Sequence, residues 1–213
     1  MSLLDKSVVP FSAVSATLCN IVSAWFAEHE KLEESVSLLL SAVYERPLAS
    51  HVRLLLLCHA LESFHRNIFG GCYLTPEAYE PIRAHLTNAI PSTIESSLKE
   101  SLKSRIRFGY QFSFLKRLNA LHSSLNEPLL RQIGIEAEKF TQDVKEARNY
   151  YTHWAPAGAA DIPKGAALAN LVSKLSAVSR IIFLKHLGVD PEFVVGRMLS
   201  NKRIYLQEYQ SLE

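Results

Sequence analysis

From Leu54 to Leu61 the chain is apolar nearly all the way round a helix, not along a single stripe. Such a helix has to be covered on several sides, so it belongs at the centre of a bundle. It is expected to run from about Ala49 to Phe69, where Gly70-Gly71 stops it in the manner of a left-handed cap. The run is too short to span a membrane and has Arg53, His59 and Glu62 close by.

The segments that must cover it are legible from their periodicity. Val14, Leu18, Ile21, Val22, Trp25 and Phe26 recur at steps of three and four and predict a helix over about 12–29, with Trp25 and Phe26 as core anchors. Leu32, Val36, Leu39, Leu40 and Val43 predict a second over about 30–45, ended by Pro47. Thr75-Pro76-Glu77 reads as a cap with proline in the first turn, opening a helix to about Ala89. Another begins at Pro91 or Ser92 and continues to Ile106. Leu168 to Phe183 form a long amphipathic helix closed by Gly188, and Asp190-Pro191-Glu192 starts a last short one. No segment alternates polar and apolar long enough to argue a strand, so the expected class is all-α.

With 213 residues, 48% of them hydrophobic, the chain can bury a full core without metal or disulfides. A single domain over 1–213 is favoured, because no flexible linker appears. Lys and Arg number 23 against 21 Asp and Glu, so nucleic-acid binding cannot be argued from total charge and needs a local basic surface. Cys19, Cys58 and Cys72 are odd in number and lack metal spacing, which reads as buried thiols in a reducing compartment. The first eleven residues make a poor signal peptide. A cytoplasmic protein with no membrane partner is expected.

The chemistry is expected in Val144-Lys-Glu-Ala-Arg148-Asn149-Tyr-Tyr-Thr-His153-Trp154. Ile133, Ala137, Phe140, Val144, Ala147 and Tyr151 build the buried stripe of a long helix, and Pro156 should end it at or just after His153. Asn149 and His153 are four apart, so the amide can orient the imidazole. Arg148 lies about 140° round an ideal helix from His153, at ~100° per residue. One straight helix therefore does not aim both at one point: either it distorts near its end or a second surface completes the site. The loop over 156–165 can border that site.

Two other clusters stand out. On the central helix, Glu62 and Arg66 can pair and His65 follows one turn after Glu62. They form either an ion pair that fixes the bundle or a supporting layer behind Arg148 and His153. Lys99, Lys103, Arg105, Arg107, Lys116 and Arg117 make the most basic stretch, interleaved with Phe108, Tyr110, Phe112 and Phe114. Such a mixture can hold a nucleic-acid backbone and stack bases, or plug the core beneath a helix corner. A phosphate-cradling glycine loop, a serine nucleophile between glycines, a paired metal-ligand helix and Cys-x-x-Cys are all missing.

An arginine, a polar residue and a histidine near the end of a bundle helix look like the signature of HEPN-domain ribonucleases. Ala60-Leu-Glu62-Ser-Phe-His65-Arg66-Asn-Ile-Phe-Gly70-Gly71 resembles the central helix of ApeA-type HEPN domains. So do Tyr73-Leu-Thr, Ala89-Ile-Pro91, Leu102-Lys-Ser-Arg105 and Leu115-Lys-Arg117-Leu, in that order and at similar spacing. The likeness runs from roughly Val22 to Leu187. It implies an up-and-down helical bundle with extra short helices, a core over 49–187 and a helical extension over 188–213. The β-rich N-terminal domain common in full ApeA proteins has no counterpart here, which implies a free-standing unit or a fragment. Some HEPN toxins carry a modifiable tyrosine two places after the histidine, and Ala155 stands there.

By the same resemblance the protein is a metal-independent endoribonuclease of anti-phage defence or a toxin, without cofactor. The 2′-hydroxyl would attack its own phosphate, leaving a cyclic phosphate and a free 5′-hydroxyl. His153 would transfer a proton, Arg148 would hold the phosphate and Asn149 would orient His153. Glu62, His65, Arg66, Lys103, Arg105, Arg107, Lys116 and Arg117 would bind substrate or support the site. RNA is the implied partner, with a homodimer through the Arg148/His153 face and room for a fused or separate sensor or inhibitor. The alternative is a non-catalytic HEPN module that binds RNA or a partner protein.

Overall fold

The computed structural model describes residues 9–45, 47–154 and 161–200. The expected loop over 156–165 falls largely outside them, as do Pro156, Ala155 and the part of the chain beyond Ser200. Ten helices and no named strand are found among the described residues: α1 (Phe11–Val14), α2 (Leu18–Tyr44), α3 (Ser50–Phe69), α4 (Pro76–Asn88), α5 (Ser96–Arg107), α6 (Phe114–Ser123), α7 (Glu127–Gln132), α8 (Ala137–His153), α9 (Gly165–His186) and α10 (Pro191–Ser200). The fold is all-α.

The central place of α3 follows from its sequence. Leu54, Leu57, Ala60, Leu61 and Phe64 are buried on several sides, and α2, α6, α8 and α9 all pack on it. Helix α9 covers it with Leu168, Leu171, Val172, Leu175, Val178, Ile181 and Ile182. By length and apolarity α9 could cross a membrane, but 67% of its most apolar window is buried inside the fold, as in a core helix. Helix α10 adds Val194, Val195 and Met198 to the same hydrophobic cluster.

Three helix boundaries differ from the sequence reading, one of them the start of α5, expected at Pro91 or Ser92 and found at Ser96 after a turn. The segments expected as separate helices over 12–29 and 30–45 are one helix, α2, preceded by the short α1. Nothing between His29 and Glu30 breaks a helix, and Lys31 pairs with Glu28 one turn back. Phe26 is 68% exposed and is not a core anchor, whereas Trp25 is partly buried against the core. The helix expected from Ile133 begins at Ala137 instead, because Gly134 at φ +69° turns the chain after α7. Ile133 remains in the core from that corner.

Helices α4 and α5 form a hairpin that packs mainly on itself. Thr75 caps α4 by accepting from the Ala78 N–H (3.2 Å), as its sequence predicts. At the neck the segments entering and leaving the hairpin pair: Tyr73 N–H donates to the Tyr110 carbonyl (2.7 Å) and Phe112 N–H to the Gly71 carbonyl (3.0 Å). The Tyr79 hydroxyl ties α4 to the end of α5 through the Ile106 carbonyl (2.8 Å).

Candidate functional site

Helix α8 buries Phe140, Thr141, Val144, Ala147 and Tyr151 and runs unbroken to His153. Its end is held by aromatic contacts. His51 of α3 stacks on Tyr151 (ring centroids 5.7 Å apart), and Trp154 meets the His51 ring edge-on (5.3 Å). Trp154 takes φ +49°, a left-handed cap that its N–H closes onto the Tyr150 carbonyl (2.6 Å). Burial raises the Tyr151 hydroxyl pKa, and that hydroxyl donates to the Pro163 carbonyl (2.8 Å).

This placement projects Arg148 into a cleft of about 410 Å³ between α2, α3 and α8. Glu34 lines it from α2, His59, Glu62, Ser63 and Arg66 from α3, and Arg148 and Thr152 from α8. Glu62 joins the two cations: one carboxylate oxygen accepts from Arg66 Nη2 at 3.1 Å, the other lies 3.6 Å from Arg148 Nη2. The Arg148 guanidinium also lies 5.4 Å from the centroid of the Phe114 ring, which the start of α6 supplies. Two guanidinium groups beside an open, polar cleft make a fitting cradle for a phosphodiester.

His153 is exposed and lies outside this cleft, although it shares a helix with Arg148. The regular course of α8 removes the first of the two options above: no distortion swings the imidazole round. Asn149 does not bond His153; its Oδ1 accepts from Arg148 Nη1 (3.3 Å). A single protomer therefore assembles Arg148, Asn149, Glu62 and Arg66, and leaves His153 pointing elsewhere.

His65 and Arg117 sit behind the cleft and are 4% and 2% exposed, so neither reaches a bound strand. Arg117 donates to the carbonyls of Gly70 (2.5 Å) and Gly71 (3.1 Å), just past the end of α3, and its Nη1 lies 3.2 Å from His65 Nδ1. Burial first, and the Arg117 charge second, lower the His65 pKa, so the ring is neutral and accepts at Nδ1. Gly71 is required here twice over: its φ is +94°, and a Cβ would come within 2.8 Å of Arg117 Nη1 and of the Phe112 ring.

The other expected basic residues lie away from the cleft. Lys103 pairs with Glu100 (2.7 Å), Arg105 is exposed, and Arg107 lies over the Phe108 ring (5.4 Å), all on α5, which buries no residue. Lys116 rests over the rings of Tyr73 (5.2 Å) and Phe112 (4.9 Å) at the hairpin neck. The interleaved aromatics divide between the two readings open to them. Phe114 is buried, Phe112 and Tyr110 pack against neighbouring rings, and Phe108 is 51% exposed.

Sequence reasoning missed Glu34, and it marked His59 and Ser63 only as part of the polar load on the second half of the central helix, with no role of their own. The Ser63 hydroxyl donates to Glu34 Oε2 (2.7 Å), and Glu34 Oε1 lies 3.9 Å from His59 Nε2. His59, Glu62, Ser63 and Arg66 do share a face of α3 by their spacing, a signal present in the sequence. Glu34 comes from another helix and gave none. Cys58 lines the cleft too, but burial raises its thiol pKa far above the usual range, against the opposing pull of Arg148, and leaves it inert. Cys19 and Cys72 are exposed, contrary to the expectation of three buried thiols. Among the described residues no three His, Cys, Asp or Glu side chains gather as a metal site would need.

A family model described as Apea-like HEPN matches residues 55–193, which takes in α3 through the start of α10 and both Glu62 and Arg148. No curated protein and no solved structure matches the chain.

Proposed function

The chain belongs to the Apea-like HEPN family, and from that premise we propose that it is a metal-independent endoribonuclease whose active site is shared between two copies. HEPN domains commonly bind RNA and dimerise. The observation that carries the reading is the Arg148–Glu62–Arg66 bridge at an open cleft, with the imidazole of the same motif turned out of it. Two copies related by a dyad resolve that separation, each supplying His153 to the other's Arg148.

Arg148, with Arg66 beside it, holds the scissile phosphate and neutralises the charge that grows on it as the 2′-oxygen attacks. The P–O5′ bond breaks, giving a 2′,3′-cyclic phosphate and a 5′-hydroxyl. His153 transfers a proton in this step, a contribution of about 10²–10⁴-fold in rate. Glu62 and Asn149 fix the Arg148 guanidinium, and Arg117 with His65 support that wall from behind. Lys103, Arg105 and Arg107 on α5, with Lys116 at the neck, offer charge to the flanking backbone. Anti-phage defence or a toxin's role in the cytoplasm suits such an activity, under the control of a sensor or inhibitor.

The test is incubation of purified protein with total RNA in excess chelator, comparing wild type with Arg148→Ala and His153→Ala. Loss of cleavage in both variants, with cyclic-phosphate ends in the wild-type products, is expected. Equal cleavage by all three points to a contaminating nuclease and to a non-catalytic RNA-binding module. Growth arrest on expression, relieved by the same substitutions, is the matching cellular result.

A further inference from the structure

We propose that His59 is a second catalytic imidazole, the general base of the Arg148 cleft, held in register by Glu34. The assignment rests on the ribonuclease reading and deepens it. Cleavage by internal attack needs one group to take the 2′-hydroxyl proton and another to protonate the departing 5′-oxygen. His153 can do only one of these at a given phosphate. His59 is the histidine that lines the same cleft as Arg148, and its side chain is 60% exposed there.

The surroundings distinguish its two ring nitrogens. Glu34 Oε1 faces His59 Nε2 at 3.9 Å, and the Ser63 hydroxyl fixes the other oxygen of that carboxylate at 2.7 Å. With Nε2 on the carboxylate side of the ring, Nδ1 is the nitrogen turned away from Glu34, and it is the one that serves as the base. Nδ1 takes the proton of the 2′-hydroxyl as the 2′-oxygen bonds to phosphorus. The P–O5′ bond breaks, and the 5′-oxygen takes a proton from the His153 imidazolium of the second copy. The other charged groups around the cleft are Glu62 and Arg66 on the same helix and Arg148 from α8. Those two cations bind the phosphate, which leaves the Glu34–His59 pair for proton transfer.

The experiment is single-turnover cleavage of a mixed-sequence RNA, then of the mapped site carrying a 5′-bridging sulfur. Thiolate is a good leaving group and needs no acid. His59→Gln is expected to lower kcat by about 10²-fold with KM little changed, and to erase the acid limb of the pH–rate profile. Sulfur should rescue His153→Ala but not His59→Gln. Glu34→Gln should cost less, and add nothing on top of His59→Gln. Because His59 is exposed, its variant should keep the wild-type helical signal and melting temperature. Wild-type kcat and pH profile in His59→Gln overturn the assignment, as does rescue of that variant by sulfur; neither touches the ribonuclease reading if Arg148→Ala and His153→Ala stay inactive. Cleavage by those two at the wild-type rate removes the ribonuclease reading itself, and this assignment with it.

Discussion

Glu62 and Arg148 stand 3.6 Å apart across the α3–α8 junction, and the second oxygen of the same carboxylate holds Arg66. A partly exposed ion pair contributes about 1 kcal/mol or less to stability, because water and salt screen it and both side chains lose freedom. Its value lies in where it leaves the guanidinium. Glu62→Gln is therefore expected to change the melting temperature little and to lower cleavage about 10-fold or more through misplacement of Arg148. Parallel thermal melts and initial rates separate the two effects. A large drop in stability with unchanged activity would make Glu62 a bundle fastener only.

Arg117 is expected to behave in the opposite way. It is buried and donates to the carbonyls of Gly70 and Gly71, so Arg117→Met takes that donor from the first, leaves the second only its bond from the Phe112 N–H, and removes the guanidinium beside His65. Loss of about 1–3 kcal/mol is expected in urea denaturation, since two hydrogen bonds from a charged donor disappear together with the packing of a buried side chain. The hairpin neck at Gly71 should loosen with it, visible as faster amide exchange at Tyr73 and Phe112.

Acid should weaken the fold through two buried histidines. Burial lowers the pKa of His65 with Arg117 adding to the effect, and burial lowers that of His122 against a smaller opposing pull from Glu127. In the unfolded chain both titrate near 6.5, so below that pH the unfolded state binds protons that the native state resists. Stability is thus fully present above the unfolded value and falls as pH drops through 6.5 toward the depressed native pKa values. Urea midpoints between neutral and mildly acidic pH should show this slope, and His122→Gln should flatten it.

Charge on α5 should act on affinity alone. Lys103, Arg105 and Arg107 lie on a helix with no buried residue, so reversing all three to Glu should leave the melting temperature nearly unchanged. RNA binding should weaken, and the dependence of log Kd on log salt should become shallower by about one for each phosphate that the variant leaves unneutralised. Equal slopes for wild type and variant would place the RNA path elsewhere.

Much of this protein is written locally. The all-round apolar run over 54–61 required a central helix, and α3 is packed on by four others because no narrower cover buries it. The end of α8 at His153 and the caps at Thr75 and Gly70 follow from backbone rules that act over four residues. The family was legible too, since the order and spacing of short stretches survive in one dimension. The unbroken course of α2 was harder to see, because a charged stretch looks like a boundary and is not a breaker.

What tertiary structure decided is which polar groups share a space. Periodicity states the direction of a side chain about its own helix and nothing about the helix that faces it. Glu34 meets His59 and Ser63 only because α2 lies along α3, and Glu62 meets Arg148 only because α8 crosses there. The same packing took Arg117 out of a basic run that reads as one surface and sealed it behind α3, where it answers carbonyls instead of phosphates. Helical direction is a local property of the chain; proximity between helices, and with it every contact in the cleft, exists only once the core has closed.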